Sequence, residues 1–272
     1  MESEFQGKVA MVSGGASGIG KKIAEDFAAR GAAVTILDIN NELGTKSAEE
    51  IGKLNGGKCL FLKVDVSDYA AVSQAVKETV AKFGDLDFQV NSAGVLRDAL
   101  MSKYDDQKWD FTIKVNLKGV AVCMSAFAAY IAEQAKKLEQ TKGPDAKLTP
   151  LDYKPRVIIN ISSMAADGNI GQLSYSASKA GVIGMTKTAA KELVKYNVRS
   201  HALKPTLIDT PIIGDLLVKQ EGKFKSMYES KIPFGIGKTE YVSDVAMFLC
   251  GKGGFFLNGA IIDINGGKLD GL

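Results

Sequence analysis

Lys8-Val9-Ala10-Met11-Val12-Ser13-Gly14-Gly15-Ala16-Ser17-Gly18-Ile19-Gly20 is the stretch that decides the fold. Lys8 to Ser13 is a short apolar run and reads as a buried strand. Glycines follow at once, and a helical pattern then runs from Lys21 to Arg30. Gly31 suits the left-handed position that closes such a helix. Ala33 to Leu37 is a second apolar strand, and it ends at Asp38. This is a β-α-β unit of about 30 residues. A glycine turn between strand and helix brings backbone N–H groups to a pyrophosphate at the helix N-terminus. The spacing here is Gly14-x3-Gly18-x-Gly20 rather than Gly-x-Gly-x-x-Gly. Glycines alone are weak evidence of a ligand, since tight turns use them anyway. A strand before, a helix after and an acid at the end of the next strand together indicate dinucleotide binding. A carboxylate at Asp38 can accept from both hydroxyls of the NAD ribose and repels a 2′-phosphate. Ala16, Ser17 and Ile39 offer no arginine to receive that phosphate, and Lys21 and Lys22 suit solvent equally well. The cofactor expected is NAD.

The same rhythm continues along the chain. A polar amphipathic helix over about 41–54 stops at Asn55-Gly56-Gly57, and a strand runs from Lys58 to Val64, ahead of Asp65-Val66. Ser67-Asp68 caps a helix from Tyr69 to Phe83. Leu86 to Val90 is a strand leading into Asn91-Ser92-Ala93-Gly94. One long helix is expected from Trp109 to about Lys137, with Asn116 as a polar residue in apolar company that calls for a specific partner. The stretch 135–155, rich in Lys, Gln, Gly and Pro, breaks the rhythm and reads as an insertion ending in a surface loop. Val157 to Ile161 and Val198 to Leu203 are further strands. Segment 212–231 is a possible lid. Glu240 to Cys250 is a last helix and Gly259 to Ile264 a last strand. Alternating strands and helices predict a single α/β domain over 1–272, a Rossmann-type doubly wound parallel sheet of about seven strands. Ligands then sit at the carboxyl ends of the strands, where Asp38, Asp65, Asn91 to Gly94 and Ser162-Ser163 all fall.

Composition narrows the function classes. The chain has 272 residues, 46% hydrophobic and 24% charged, with a net charge of +3. That suits a globular core and gives no argument for a nucleic-acid or membrane partner. No uninterrupted apolar run reaches the roughly 18 residues of a membrane span. Met1-Glu2-Ser3-Glu4-Phe5 has no apolar secretion-signal core. Cys59, Cys123 and Cys250 are far apart and lack metal-ligand spacing, so reduced thiols, a cytoplasmic location and no metal are expected. The one histidine, His201, lies inside a strand and reads as structural.

Ser162-Ser163 ends the strand 157–161, and Tyr175-Ser176-Ala177-Ser178-Lys179 opens a helix reaching about Lys195. Tyr175 and Lys179 share one helix face. Alone, Tyr-x-x-x-Lys is an ordinary helical pair. A free tyrosine titrates near about 10, and a fixed positive charge beside it lowers that value. A serine hydroxyl at the strand end can hold a substrate oxygen against the phenol.

Ser13-Gly14-x3-Gly18-Ile19-Gly20, Asn91-Ser92-Ala93-Gly94, Asn116, the serine pair and Tyr175-x3-Lys179 together resemble the short-chain dehydrogenase/reductase superfamily over essentially the whole chain. The resemblance implies a catalytic quartet of Asn116, Ser163 or Ser162, Tyr175 and Lys179. Tyr175 is then the acid/base at the carbinol oxygen. Lys179 binds the nicotinamide ribose and lowers the Tyr175 pKa. The serine orients the substrate, and Asn116 holds a water in a proton relay. The family's usual count of 13 residues from serine to tyrosine selects Ser162, whereas strand alignment selects Ser163 with one residue deleted from the loop; Ser163 is preferred, because loops absorb deletions. The cofactor cradle implied is Ser13, Gly14, Ser17, Gly18, Ile19, Gly20, Asp38, Asp65, Val66, Asn91, Ala93, Gly94, Pro205, Ile208 and Thr210, with Tyr175 and Lys179. Pro205-Thr206 departs from the family's Pro-Gly. Val157-Ile158-Ile159-Asn160, Tyr175 to Lys179 and Phe256-Leu257-Asn258-Gly259 resemble type-2 3-hydroxyacyl-CoA dehydrogenases, which use NAD, also oxidise some hydroxysteroids, and carry an insertion in the same place. Gly168-Asn169-Ile170-Gly171-Gln172 resembles 3-oxoacyl-carrier-protein reductases, which usually prefer NADPH; Asp38 argues against that choice. The expected partners are a small alcohol or ketone substrate and further copies of the chain, as a tetramer. A non-catalytic dinucleotide sensor is the alternative of another class.

Overall fold

The short apolar runs between the turns are covered on both faces, as strands of a parallel sheet must be. In the computed structural model, which describes residues 4–143, 145–218 and 231–268, they are β1 (Val9–Ser13), β2 (Ala33–Asp38), β3 (Cys59–Lys63), β4 (Phe88–Asn91), β5 (Arg156–Ile161), β6 (Val198–Pro205) and β7 (Ile261–Ile264). They form one parallel sheet in the order β3-β2-β1-β4-β5-β6-β7. Side chains alternate between two cores. Ala10 and Val12 join Ile23, Phe27, Val242 and Met247 on one face, while Val9 and Met11 join Val72, Val76, Phe127 and Ile131 on the other. The first core is closed by α1 (Gly18–Ala29), α2 (Asn41–Gly52) and the helix Thr239–Cys250; the second by α3 (Tyr69–Phe83) and the helix Gly119–Lys142.

The chain leaves β1 toward β2 on one side and returns through β4 on the other. This reversal of strand order opens a crevice at the carboxyl ends of β1 and β4. The register puts Leu37, Ser13, Asn91 and Asn160 in one row across the sheet. The residues read from sequence as strand ends therefore meet along one edge.

Two expectations change. The single helix over 109–137 is instead α4 (Asp106–Ile113), a π-helical turn over Lys114–Lys118, and α5 (Gly119–Lys142). The extra residue of the π turn falls around Asn116, whose side chain bonds the backbone of Val95 outside the helix. The helical run 106–142 is by length and composition apolar enough to cross a membrane. Its buried residues, from Val120 to Ile131, pack in the second core, and its apolar window is 56% buried, as a core helix demands. The stretch read as the insertion 135–155 is thus helical to Lys142. Beyond it, Lys154 Nζ lies 2.7 Å from Asp85 and 2.8 Å from Asp87, and Arg156 Nη2 lies 3.0 Å from Asp85. These pairs tie the segment to the amino-terminal edge of the sheet. The helices that follow are α6 (Leu173–Glu192), α7 (Pro211–Val218) and α8 (Thr239–Cys250). Of the segment 212–231 expected as a lid, residues 219–230 lie outside the described residues.

His201 is fully buried in β6, opposite Ile159 of β5. Neither ring nitrogen has a hydrogen-bond partner among the described residues. Burial, and then the nearby Arg199 charge, push its pKa from 6.5 down to about 4. The unfolded chain therefore binds a proton between pH 6.5 and pH 4 that the folded one refuses. Stability rises with pH across that window, by about 3 kcal/mol from this group. Urea denaturation at pH 5 and pH 7 measures it. His201→Leu should lose that part of the slope, and an unchanged slope refutes the assignment.

Candidate active site

The glycine turn is shaped first by the chain's own packing. A Cβ on Gly14 would lie 2.8 Å from the Ala93 backbone, and one on Gly20 would run into the Gly14 carbonyl oxygen. Gly18, at φ 55°, faces Thr210 and the cavity. Asp38 braces the turn: its Oδ2 accepts from Ala16 N at 3.2 Å and its Oδ1 from Asn40 N at 3.0 Å. A carboxylate has about four acceptor positions, so capacity for a ribose diol remains. The first-turn N–H groups of α1 have no side-chain cap, and such groups need a partner. They open on a cavity of about 920 Å³, at the upper end of the usual ligand-site range. The residues present fit a dinucleotide.

Lys21 pairs with Glu50 and Glu25, and Lys22 with Asp26. Neither ammonium is free beside Asp38. Lys114, which lines the same end of the cavity, pairs with Asp65 at 3.4 Å.

The second wall is built by β5 and α6. Ser163 follows the strand end and caps the 3₁₀ turn Met164–Asp167, its Oγ accepting from Ala165 N at 3.1 Å. Ser163 and Tyr175 line the same cavity, and the Ser163 hydroxyl acts to lower the Tyr175 pKa. Ser162 is buried, and its Oγ donates to the Lys179 carbonyl at 2.8 Å, tying β5 to α6. The Lys179 ammonium donates to the Ile161 carbonyl at 2.8 Å and lies 5.5 Å from the centre of the Tyr175 ring. A Cβ on Gly94 would stand 3.4 Å from Asn116 Oδ1 and 3.6 Å from Lys179 Nζ, so α5's π turn, the loop after β4 and α6 converge there.

The expected lowering of the Tyr175 pKa is not found. Burial pushes the phenol up to about 12; the Ser163 hydrogen bond opposes this, and the Asp98 charge adds to it. Burial pushes Lys179 down to about 8. The ammonium contacts the ring and the Ile161 carbonyl rather than the hydroxyl, so desolvation outweighs its charge.

Gly14, Ser17, Gly18, Ile19, Asp38, Asp65, Val66, Ala93, Gly94, Ser162, Ser163, Tyr175, Lys179, Pro205, Ile208 and Thr210 all line the one cavity. Ser13, Gly20, Asn91 and Asn116 do not line it. Ser13 Oγ meets Val90 O, Ser92 N and Ala93 N, and Asn91 Nδ2 donates to Asn160 Oδ1 at 2.7 Å. Asn116 is fully buried, accepting from Val95 N at 2.8 Å and donating to Val95 O at 2.9 Å. These four brace the wall from behind, and Asn116 holds Val95. Asp98 and Gln172 were not read from the sequence; Gln172 Nε2 donates to Asp98 Oδ2 at 3.1 Å beside Tyr175. No spacing rule marks that pair, since 74 residues separate its members.

The two serines separate by experiment. Ser163→Ala should lower kcat about a hundredfold, as loss of an oriented hydroxyl at a developing charge does. Ser162→Ala should leave kcat within about threefold and lower Tm, since its loss is one buried hydrogen bond. The reverse pattern would transfer the role to Ser162.

A parallel sheet with its cavity at the strand-order reversal, a glycine turn facing it and a Ser-Tyr-Lys wall opposite define a nicotinamide-nucleotide oxidoreductase. The chain belongs to the short-chain dehydrogenase/reductase family. The short chain dehydrogenase profile matches residues 8–139, and the Enoyl-(Acyl carrier protein) reductase profile matches residues 147–268. The chain is 37% identical over 265 residues to a 3-oxoacyl-[acyl-carrier-protein] reductase of Thermotoga maritima, covering 97% of this chain and 98% of the relative. It is 34% identical to the (2S)-[(R)-hydroxy(phenyl)methyl]succinyl-CoA dehydrogenase subunit BbsD of Thauera aromatica, covering 97% of each. A 3-ketoacyl-(acyl-carrier-protein) reductase of Brucella melitensis, solved in complex with NADH, superposes with a TM-score of 0.83 at 27% identity. That match covers 97% of this chain and 99% of the other.

Proposed function

We propose that this protein is an NAD(H)-dependent oxidoreductase that interconverts a secondary alcohol and a ketone carried on an acyl thioester. The observation that carries the reading is Tyr175, beside Ser163 and flanked by Lys179, on the wall of the same cavity that Asp38 and the uncapped turn of α1 enter. Asp38, with Lys21, Lys22 and Lys114 each held in ion pairs, supports NAD over NADP. The solved relative holding NADH is consistent with that choice. The thioester is supported by the names of both curated relatives, one acting on an acyl-carrier-protein ester and one on a CoA ester.

Nicotinamide bound in the cavity supplies the hydride chemistry. The chain's own residues supply position and proton. Ser163 donates a hydrogen bond to the substrate oxygen beside Tyr175. Tyr175 takes the carbinol proton in oxidation and returns it in reduction. Lys179, charged at neutral pH by its value of about 8, stabilises the phenolate as it forms. Leu96, Met164, Ile170 and Ile212 line the cavity and offer an acyl chain apolar contact.

NADH formation against a panel of 3-hydroxyacyl-CoAs, hydroxysteroids and simple secondary alcohols tests the reading. Fastest turnover on the thioesters supports it. Preference for a hydroxysteroid would replace the substrate class, and no turnover on any of them would sink the reading. A cytoplasmic setting belongs to the same reading, supported by three free thiols. So does a homotetramer, which light scattering checks.

A further inference from the structure

Lys204 is a buried charge near the end of β6. It lies in β6 between Leu203 and Pro205, and is 7% exposed. Lysine is almost never buried unless paired. Its Nζ lies 2.6 Å from Asp167 Oδ2 and 3.2 Å from Asp263 Oδ1. Asp263 stands opposite it in the register of β6 and β7. Asp167 is the last residue of the 3₁₀ turn that Ser163 caps. The two carboxylates are charges of one sign that only the ammonium between them reconciles, and they hold its pKa above the ordinary lysine value despite burial.

The turn Met164–Asp167 is short; Met164 and Ala165 are buried within it, and polar contacts fix its two ends. At its start, Ser163, two residues beyond β5, caps the turn. At its end stands Asp167, followed by Gly168 at φ 105° and the exposed Ile170. With the second anchor cut, Asp167 turns from Asp263 toward water and the 3₁₀ turn loosens. The Ser163 hydroxyl is fixed by that turn, because its lone pair is held by Ala165 N.

We propose that Lys204 is a positioning residue: its bridge from Asp263 to Asp167 holds the turn that aims Ser163 at the oxygen of Tyr175 and of the substrate. The inference rests on the reading of Ser163 given under Proposed function. It reaches beyond that reading, because Lys204 touches neither cofactor site nor substrate.

The test compares Lys204→Met, Lys204→Arg, Asp167→Asn, Ser163→Ala and Lys204→Met/Ser163→Ala. Each is assayed by NADH formation from the panel alcohol that the wild type oxidises fastest, with NAD affinity and Tm measured alongside. Lys204→Met should lower kcat about 10- to 100-fold, as misplacement by about 1 Å does, with NAD Kd within about twofold. Lys204→Arg should restore kcat to within about threefold of wild type. The double variant should be no slower than Ser163→Ala alone, since residues acting as a unit are non-additive. Asp167→Asn breaks the bridge at its exposed end and serves if Lys204→Met does not fold; it should cost kcat about fivefold or more. A kcat within about twofold of wild type in the folded Lys204→Met or in Asp167→Asn would overturn the proposal, as would full additivity with Ser163→Ala. Full turnover by Ser163→Ala, or a wild type inactive on the whole panel, strikes the functional reading instead.

Discussion

Tyr175→Phe should lose turnover by about a thousandfold while binding NAD as the wild type does. The substitution removes one oxygen and keeps the ring. General acid/base groups contribute about 10²- to 10⁴-fold; His201 is buried in β6 away from the cavity lining, without a hydrogen-bond partner among the described residues, and Asp98 is held by Gln172. The ring keeps its contact with the Lys179 ammonium, so the wall of the cavity survives. Stopped-flow hydride transfer and fluorescence titration of NAD separate the two effects. A variant that keeps full turnover with intact binding would remove Tyr175 from the mechanism, and the non-catalytic dinucleotide sensor would then become the better reading.

Asp38→Ser combined with Ile39→Arg should reverse the cofactor preference. Loss of hydrogen bonds to a charged acceptor costs about 1.5–3 kcal/mol, so NAD should bind about 10- to 100-fold more weakly. Removing the carboxylate ends the repulsion of a 2′-phosphate, and a guanidinium at the exposed position 39 offers it a bidentate partner. The ratio of kcat/KM for NADP over NAD should rise about a thousandfold or more. Asp38 also accepts from Ala16 N, so Tm should fall slightly in the same variant. Wild-type protein preferring NADP would sink the assignment of Asp38 at once.

The sheet was legible because each strand is a short apolar run closed by a turn with its own chemistry. The helix limits read from Asp68 and Gly31 hold because caps are local: Asp68 accepts from Ala70 and Ala71 N, and Gly31 adopts φ 91°. The reading failed at Asn116. A π turn is invisible to a 3.6-residue period, and what produces it is a hydrogen bond to Val95 from outside the helix. It failed again on the acidity of Tyr175. Spacing showed that Lys179 shares a helix face with it, but not that burial would outweigh the charge. The role of Lys204 was hidden too, because its partners at 167 and 263 are remote in sequence.

What the sequence by itself determined is the set of local events: where strands end, where helices begin, which glycines turn the chain, and which reactive side chains sit at those ends. Those follow from backbone sterics and period, which act over a few residues. Only the tertiary structure decided which predicted residues line the cavity and which brace it, and which charges are paired. These depend on contacts between segments far apart in the chain. A hydroxyl one residue further past a strand end points a different way, so Ser162 holds the backbone of Lys179 while Ser163 caps the turn that follows.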